Sequence, residues 1–237
     1  MKPVILNRDT HRDLRVNTRL GAEFHDNVQL VPVIAAELQT LMVDMPIYLM
    51  KDSETGAFGL FALLGFEPSE NLLLGSDGWL ANYVPLHMRR QPFMVGRASG
   101  VDVGAQSLIS LDMDSPRLQT SEGEALFTKD GEQTPYLEDI IGLLSSMMAG
   151  VQATKGFIDA MLDLDLVEPV SISVKLANSD PRTLNGLYSL NEQAVQNLSA
   201  DQLLALNSKG YLQAAYLLLG SGANMQKLIN LKNNTKK

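Results

Sequence analysis

From Leu137 onward, apolar residues recur at Ile140 and Ile141, Leu144, Met147 and Met148, Val151, Ile158, Met161 and Leu162. A repeat close to 3.5 residues defines a long amphipathic helix whose apolar stripe must be covered by other parts of the chain. Two features interrupt it. Thr154 and Lys155 fill the one slot where the stripe should stay apolar. Gly142, Gly150 and Gly156 each weaken a helix by about 1 kcal/mol relative to alanine. The interruption admits a break or kink near Gly150 and Gly156, or a helix that runs past its partner there.

The segments that could cover the stripe read mainly as strands. Residues 31–45 place Ile34, Leu38, Leu41 and Met42 on one helical face, with Pro32 suited to an early position. Pro46 stops that helix, and Ile47 and Leu49 then alternate with Tyr48 and Met50 as in a strand. The turn residues KDSETG follow, and AFGLFALLG, apolar on both faces, reads as a central strand returning in a hairpin. A short strand is expected at 72–74, a turn at GSDG, a short helix at 88–90, and strands at 92–95 and 106–111. Residues 112–135, rich in Asp, Ser, Gly and Pro, are the best candidate seam, although ALF within them could pair as a strand.

Beyond the long helix, Pro169 opens the strand VSISVKL, NSDP turns, and TLNGLYSL at 183–190 returns as its partner. Ser199, with Asp201 and Gln202, caps a helix that Gly210 ends, and two short helices follow. The expected fold is α+β: a mainly antiparallel sheet built from hairpins, packed against a long helix and a C-terminal group of short helices. We expect a single domain, sheet-rich over about 1–134 and helix-rich over about 135–230, with a frayed tail at 231–237.

Composition narrows the function. The chain has 237 residues, 45% hydrophobic and 19% charged, and a mean hydropathy of essentially zero, which is the globular range. No apolar run reaches the ~18–20 residues of a membrane span. The start, MKPVILNRDTHRDLR, lacks the ~7–15-residue apolar stretch of a secretory signal, so a cytoplasmic location is expected. Cysteine is absent, which removes disulfides, thiolate metal sites and Cys nucleophiles. The net charge of −8 leaves Arg89 and Arg90 as the dense basic pair, with Lys236 and Lys237 at the tail, so nucleic acid is not an expected partner.

Several stretches resemble the SapC family over most of the chain, from about Val31 onward. They are ALLGFEPSENLLLGSDGWLANYVPLHMRRQPF, SPRL at 115–118, GEALF at 123–127, TKGFIDAMLDLDLVEP, and GLYSLNEQAVQNLSADQLLALNSKGYLQAAYLLL. The family is named after a bacterial surface-layer gene cluster. Its members are often encoded near outer-membrane nutrient receptors, halogenase-like flavoproteins and cupin-type hydroxylases. The resemblance implies an accessory or binding role, acting with a protein or peptide partner; with no cofactor motif in the residues, no cofactor is expected.

Each candidate site stands beside a structural alternative. Arg89 and Arg90 could fork onto a carboxylate or phosphate, or pair with acidic residues and brace a turn. Trp79 and Tyr83, four apart, would share a helical face and wall a pocket, or anchor the core. HRD at 11–13 offers His11 and Asp13 as metal ligands if His25 or His87 completes a facial triad. Asp112 and Asp114 could hold a hard cation or simply form an acidic turn. Asp163, Asp165 and Glu168 form an acidic run with nothing to fix two carboxylates across a cleft. Lys155, if buried, could act as a nucleophile of depressed pKa; a Lys at the helix edge would keep its ammonium in water. No nucleotide-binding, Walker, hydrolase-elbow or zincin motif occurs.

Two function classes follow. A non-catalytic binding module suits the resemblance, and eleven methionines against one tryptophan suit an adaptable apolar surface. The alternative is an enzyme of unrecognised type, such as a metal-assisted oxygenase using His11 and Asp13; a surface-layer structural role is the weaker third option. A homo-oligomer is left open.

Overall fold

A computed structural model describes residues 2–76, 78–96, 108–177 and 181–234. The expected turn position Asp77, strand residues Gln106 and Ser107, turn residues Asn178, Ser179 and Asp180, and the tail residues 235–237 lie outside the described residues. The fold is α+β, with antiparallel sheets, a long helix and C-terminal helices. It forms two compact units: Met1–Asp26 with Leu86–Met148, and Asn27–Pro85 with Ala149–Lys237. The seam segment 112–135 lies within the first unit.

The first unit is built from short strands. Leu108–Asp112 runs antiparallel between Pro3–Ile5 and Phe93–Gly96, and Arg15–Val16 runs between Leu118–Gln119 and Glu124–Ala125. Val16, Phe93, Leu111 and Leu126 are buried with Leu137, Ile140 and Leu144 of the helix Pro135–Asp163. The apolar stripe is thus covered here by strand and loop residues. Thr134 accepts from the Leu137 N–H at the helix start, where Pro135 lacks the donor it would otherwise orphan. Gly123 has φ +94°, and a Cβ there would lie 2.4 Å from the Val16 carbonyl oxygen, so only glycine closes this sheet.

Arg117 gathers the loop of residues 17–26. Its guanidinium donates to both Asp26 carboxylate oxygens (2.6 and 2.8 Å) and to the carbonyls of Asn17 (2.9 Å) and Arg19 (2.6 Å). It also lies 4.9 Å from the Phe24 ring centroid. Both charged side chains are almost fully buried, at 3% and 4% exposed, and among the described residues the Nε of Arg117 has no hydrogen-bond partner.

The second unit is organised by a five-stranded antiparallel sheet in the order Val167–Val174, Arg182–Leu190, Ile47–Lys51, Phe58–Leu63, Leu30–Val33. The expected hairpin is present, with Lys51 opposite Phe58 and Gly56 at φ +73° in its turn. Asp52 accepts from the N–H groups of Glu54 and Thr55, which fixes that turn. The 31–45 segment differs from its expected helix. Leu30–Val33 is an edge strand, and only Leu38–Leu41, after a 3-10 turn at Ala35–Glu37, is α-helical. Val31 and Val33 are buried around an exposed Pro32, a period of two that the helical spacing of Ile34, Leu38 and Leu41 masks. Pro32, lacking an N–H, is tolerated on an outer strand, as is Pro169 on the opposite edge.

Behind the sheet come helices Glu192–Gln196, Ala200–Ser208, Tyr211–Ser221 and Met225–Asn234. Ser199 and Gln202 form the expected capping box. The fully buried Ser221 hydroxyl accepts from the Ile47 N–H (2.9 Å) and donates to the Leu218 carbonyl (2.6 Å), joining helix to strand. The chain stays helical through Asn234 because Lys232, only 10% exposed, is held by Glu67 (2.8 Å) and Glu70. The helix thus takes in residues 231–234 of the expected tail.

Candidate functional site

The long helix does not break. Pro135–Asp163 is continuous over 29 residues, and Gly150 and Thr154 have a local explanation in the second unit. A Cβ at Gly150 would lie 2.3 Å from Ile34 Cδ1, so glycine lets the edge-strand end approach the helix. Thr154, buried at 7%, accepts from the Ala35 N–H (2.8 Å) and donates to the Gly150 carbonyl (2.7 Å). The polar slot in the stripe is therefore a pin between helix and strand.

Beyond that pin the two elements part, leaving an open groove of about 480 Å³. Pro32 and Val33 of the edge strand and residues 56–61 of the hairpin form one side. Val151, Ile158 and Leu162, spaced seven and four apart along one face of the helix, form the other. The lining is mainly apolar, and Val151 (52%) and Leu162 (36%) stay exposed although they belong to the stripe. Lys155 and Asp159 stand on the rim and pair with each other at 2.6 Å, one turn apart.

Lys155 is therefore not the buried amine the seam suggested: its side chain is 69% exposed. Of the sequence candidates it is the one that lines this groove. Trp79 and Tyr83 do meet, but not on a helix. Trp79 ends the small hairpin Leu74–Gly75 with Gly78–Trp79, and its indole N–H donates to the Tyr83 carbonyl across an irregular turn (2.8 Å). Beside them Asp44 accepts from the Asn82 N–H (2.8 Å), the Asn82 amide (2.9 Å) and Lys227. Burial would raise the Asp44 carboxyl, yet these donors outweigh it and hold the group below the ordinary carboxylate range.

Arg89 and Arg90 belong to the first unit and part company. Arg89 is exposed. Arg90 braces its own turn, donating to the Phe93 carbonyl (2.6 Å), with Nη2 3.0 Å from His87 Nε2. Burial, and then the Arg90 charge, push His87 down to about 4. The neutral ring can thus accept from Arg90.

His11 is buried and its Nδ1 accepts from the Asn7 N–H (3.0 Å), while Asp13 and His25 are exposed. Among the described residues no group of three or more His, Cys, Asp or Glu is placed to hold a metal ion. Asp112 accepts from the Lys2 (2.8 Å) and Asp114 (3.2 Å) N–H groups, a turn contact. Glu168 accepts from the Asn191 amide (2.6 Å). The residue that sequence reasoning missed most completely is Arg117, although SPRL had marked its position.

The class is thus an α+β protein with an open apolar groove, and among its described residues no helix is long and apolar enough to cross a membrane. The SapC family model matches residues 6–228, nearly the whole chain, and the protein belongs to that family. No curated protein and no solved structure matched it.

Proposed function

We propose that this SapC-family protein is a non-catalytic binding module that takes a short apolar segment of a protein or peptide partner into the groove beside the edge strand. One observation carries the proposal: Val151 and Leu162 of a core-facing stripe stand exposed over a concave apolar surface. The groove volume falls in the range that small ligands and peptide side chains occupy. The Lys155–Asp159 pair neutralises the rim, so the preferred segment is uncharged.

The test is fluorescence titration with a panel of short labelled peptides, Leu- and Phe-rich against Ser- and Glu-rich. Selective binding of the apolar members is expected, and a Val151→Asp, Leu162→Asp double variant should lose it while its circular dichroism is unchanged. Equal binding of both peptide classes, or an unaffected double variant, rejects the proposal.

A further inference from the structure

The first unit holds a second concavity, of about 610 Å³, with a different chemistry. Arg12, Arg15 and Lys129 line it together with Asp13, Thr128 and Phe127. Among the described residues none of these three cations forms an ion pair with a carboxylate. Elsewhere Arg117 is matched by Asp26 and Lys232 by Glu67 and Glu70, and the half-buried Arg90 is braced by the Phe93 carbonyl and His87. In a chain with 27 acidic and 19 basic side chains, neutralising groups are plentiful. Three unmatched cations facing one hollow repel one another, and a hollow focuses their field.

The groups are also positioned. Arg15 lies on the middle strand of its small sheet, and its Nη1 donates to the Gly123 carbonyl (2.8 Å). That bond orients the guanidinium and, among the described residues, leaves other donors of the fork unused. Lys129 sits on the loop closed by the Phe127–Gln133 bridge, which the Thr128 N–H to Glu132 carbonyl bond (2.8 Å) tightens. The Thr128 hydroxyl accepts from the Glu132 N–H (3.1 Å), so its own proton is available to a ligand. Phe127 supplies an apolar wall.

We infer that this pocket binds a small oxyanion, a carboxylate or phosphomonoester, carried on an apolar or aromatic body that rests on Phe127. Three cations against the Asp13 carboxylate leave an excess of positive charge that suits a dianion. Asp13 accepts a hydrogen bond from a hydroxyl or ammonium group of the same ligand. Arg is the fitting residue for bidentate capture of such oxygens, with Lys acting as a point charge.

The experiment titrates the intact protein with phenyl phosphate and with benzoate at constant ionic strength, following heat release and amide chemical shifts. Saturable one-to-one binding of at least one probe is expected, with Kd below about 1 mM and shifts at Phe127 and Thr128. The tighter probe identifies the phosphate or the carboxylate source. An Arg12→Gln, Lys129→Gln variant, altering two exposed side chains, should weaken binding by at least about tenfold, whereas Arg89→Gln should not change it. Failure of both probes to bind, or unaltered binding by the double variant, overturns the inference, as does equal weakening by Arg89→Gln. These outcomes are independent of the peptide groove in the second unit.

Discussion

In the first unit the deepest polar contact is a charge pair, Arg117 on Asp26. In the second, each ion pair among the described residues, such as Lys227 on Asp44 or Lys232 on Glu67, has at least one member in contact with water. The difference follows from the sheets. Strands of two to five residues give the first unit few ladder bonds, and one arginine draws residues 17–26 together from inside. The second unit has five paired strands and a mostly aliphatic core, so its polar contacts act as pins at element ends. A buried charge pair adds little net stability, but losing one member leaves an uncompensated charge.

The sharpest way to break this contrast is Arg117→Met. It should cost about 3–5 kcal/mol in urea unfolding, with much of the loss restored by adding Asp26→Asn. Lys227→Met, at a partly exposed pair, should cost about 1 kcal/mol. Equal losses would show that burial does not separate the two units.

Acid provides the second test. All three histidines, His11, His25 and His87, lie in the first unit. An unfolded His87 takes its proton near 6.5, whereas the folded group waits until about 4. Between those values the unfolded state binds the extra proton, so stability falls as the pH drops through that window, by up to about 3 kcal/mol. Burial lowers His11 as well, adding in the same direction. Asp44, depressed instead, withdraws its contribution only below the ordinary carboxylate range. Hydrogen exchange at pH 5 should therefore lose protection at Val16 and Leu111 before Leu49 and Leu60, and His87→Gln should flatten the first response.

The smallest effect compares two glycines of one helix. Gly142→Ala meets nothing among the described residues and should stabilise by up to about 1 kcal/mol. Gly150→Ala drives a methyl into Ile34 and should destabilise. Thermal unfolding that moves the same way in both variants would remove the close-approach explanation for Gly150.

What the sequence disclosed was local. Pro46, KDSETG and the Ser199 box announce their elements within a few residues, and the helical stripe survives because its partners ask only for apolar surface. Residues 31–45 misled because Ile34, Leu38, Leu41 and Met42 satisfy a helical period while Val31 and Val33 satisfy a strand, and pairing with Phe58–Leu63 decided between them. Trp79 and Tyr83 meet through an indole N–H on a backbone carbonyl, a contact across an irregular turn that a four-residue helical spacing does not describe. Arg117 and Asp26 stand 91 positions apart, and no periodicity reports such a meeting. The cationic hollow was hidden for the same reason: Arg12 and Arg15 lie at one end of the chain's first unit and Lys129 at the other, so neither stretch looks basic by itself.

The interleaved order of the two units bears on how the chain is made. Residues 1–26 leave the ribosome long before their partners at 86–148, and Ile47–Lys51 must wait for Arg182–Leu190 to flank it. The nascent chain thus carries unpaired strand edges through most of its synthesis, and its final closure comes late, with long loops already committed.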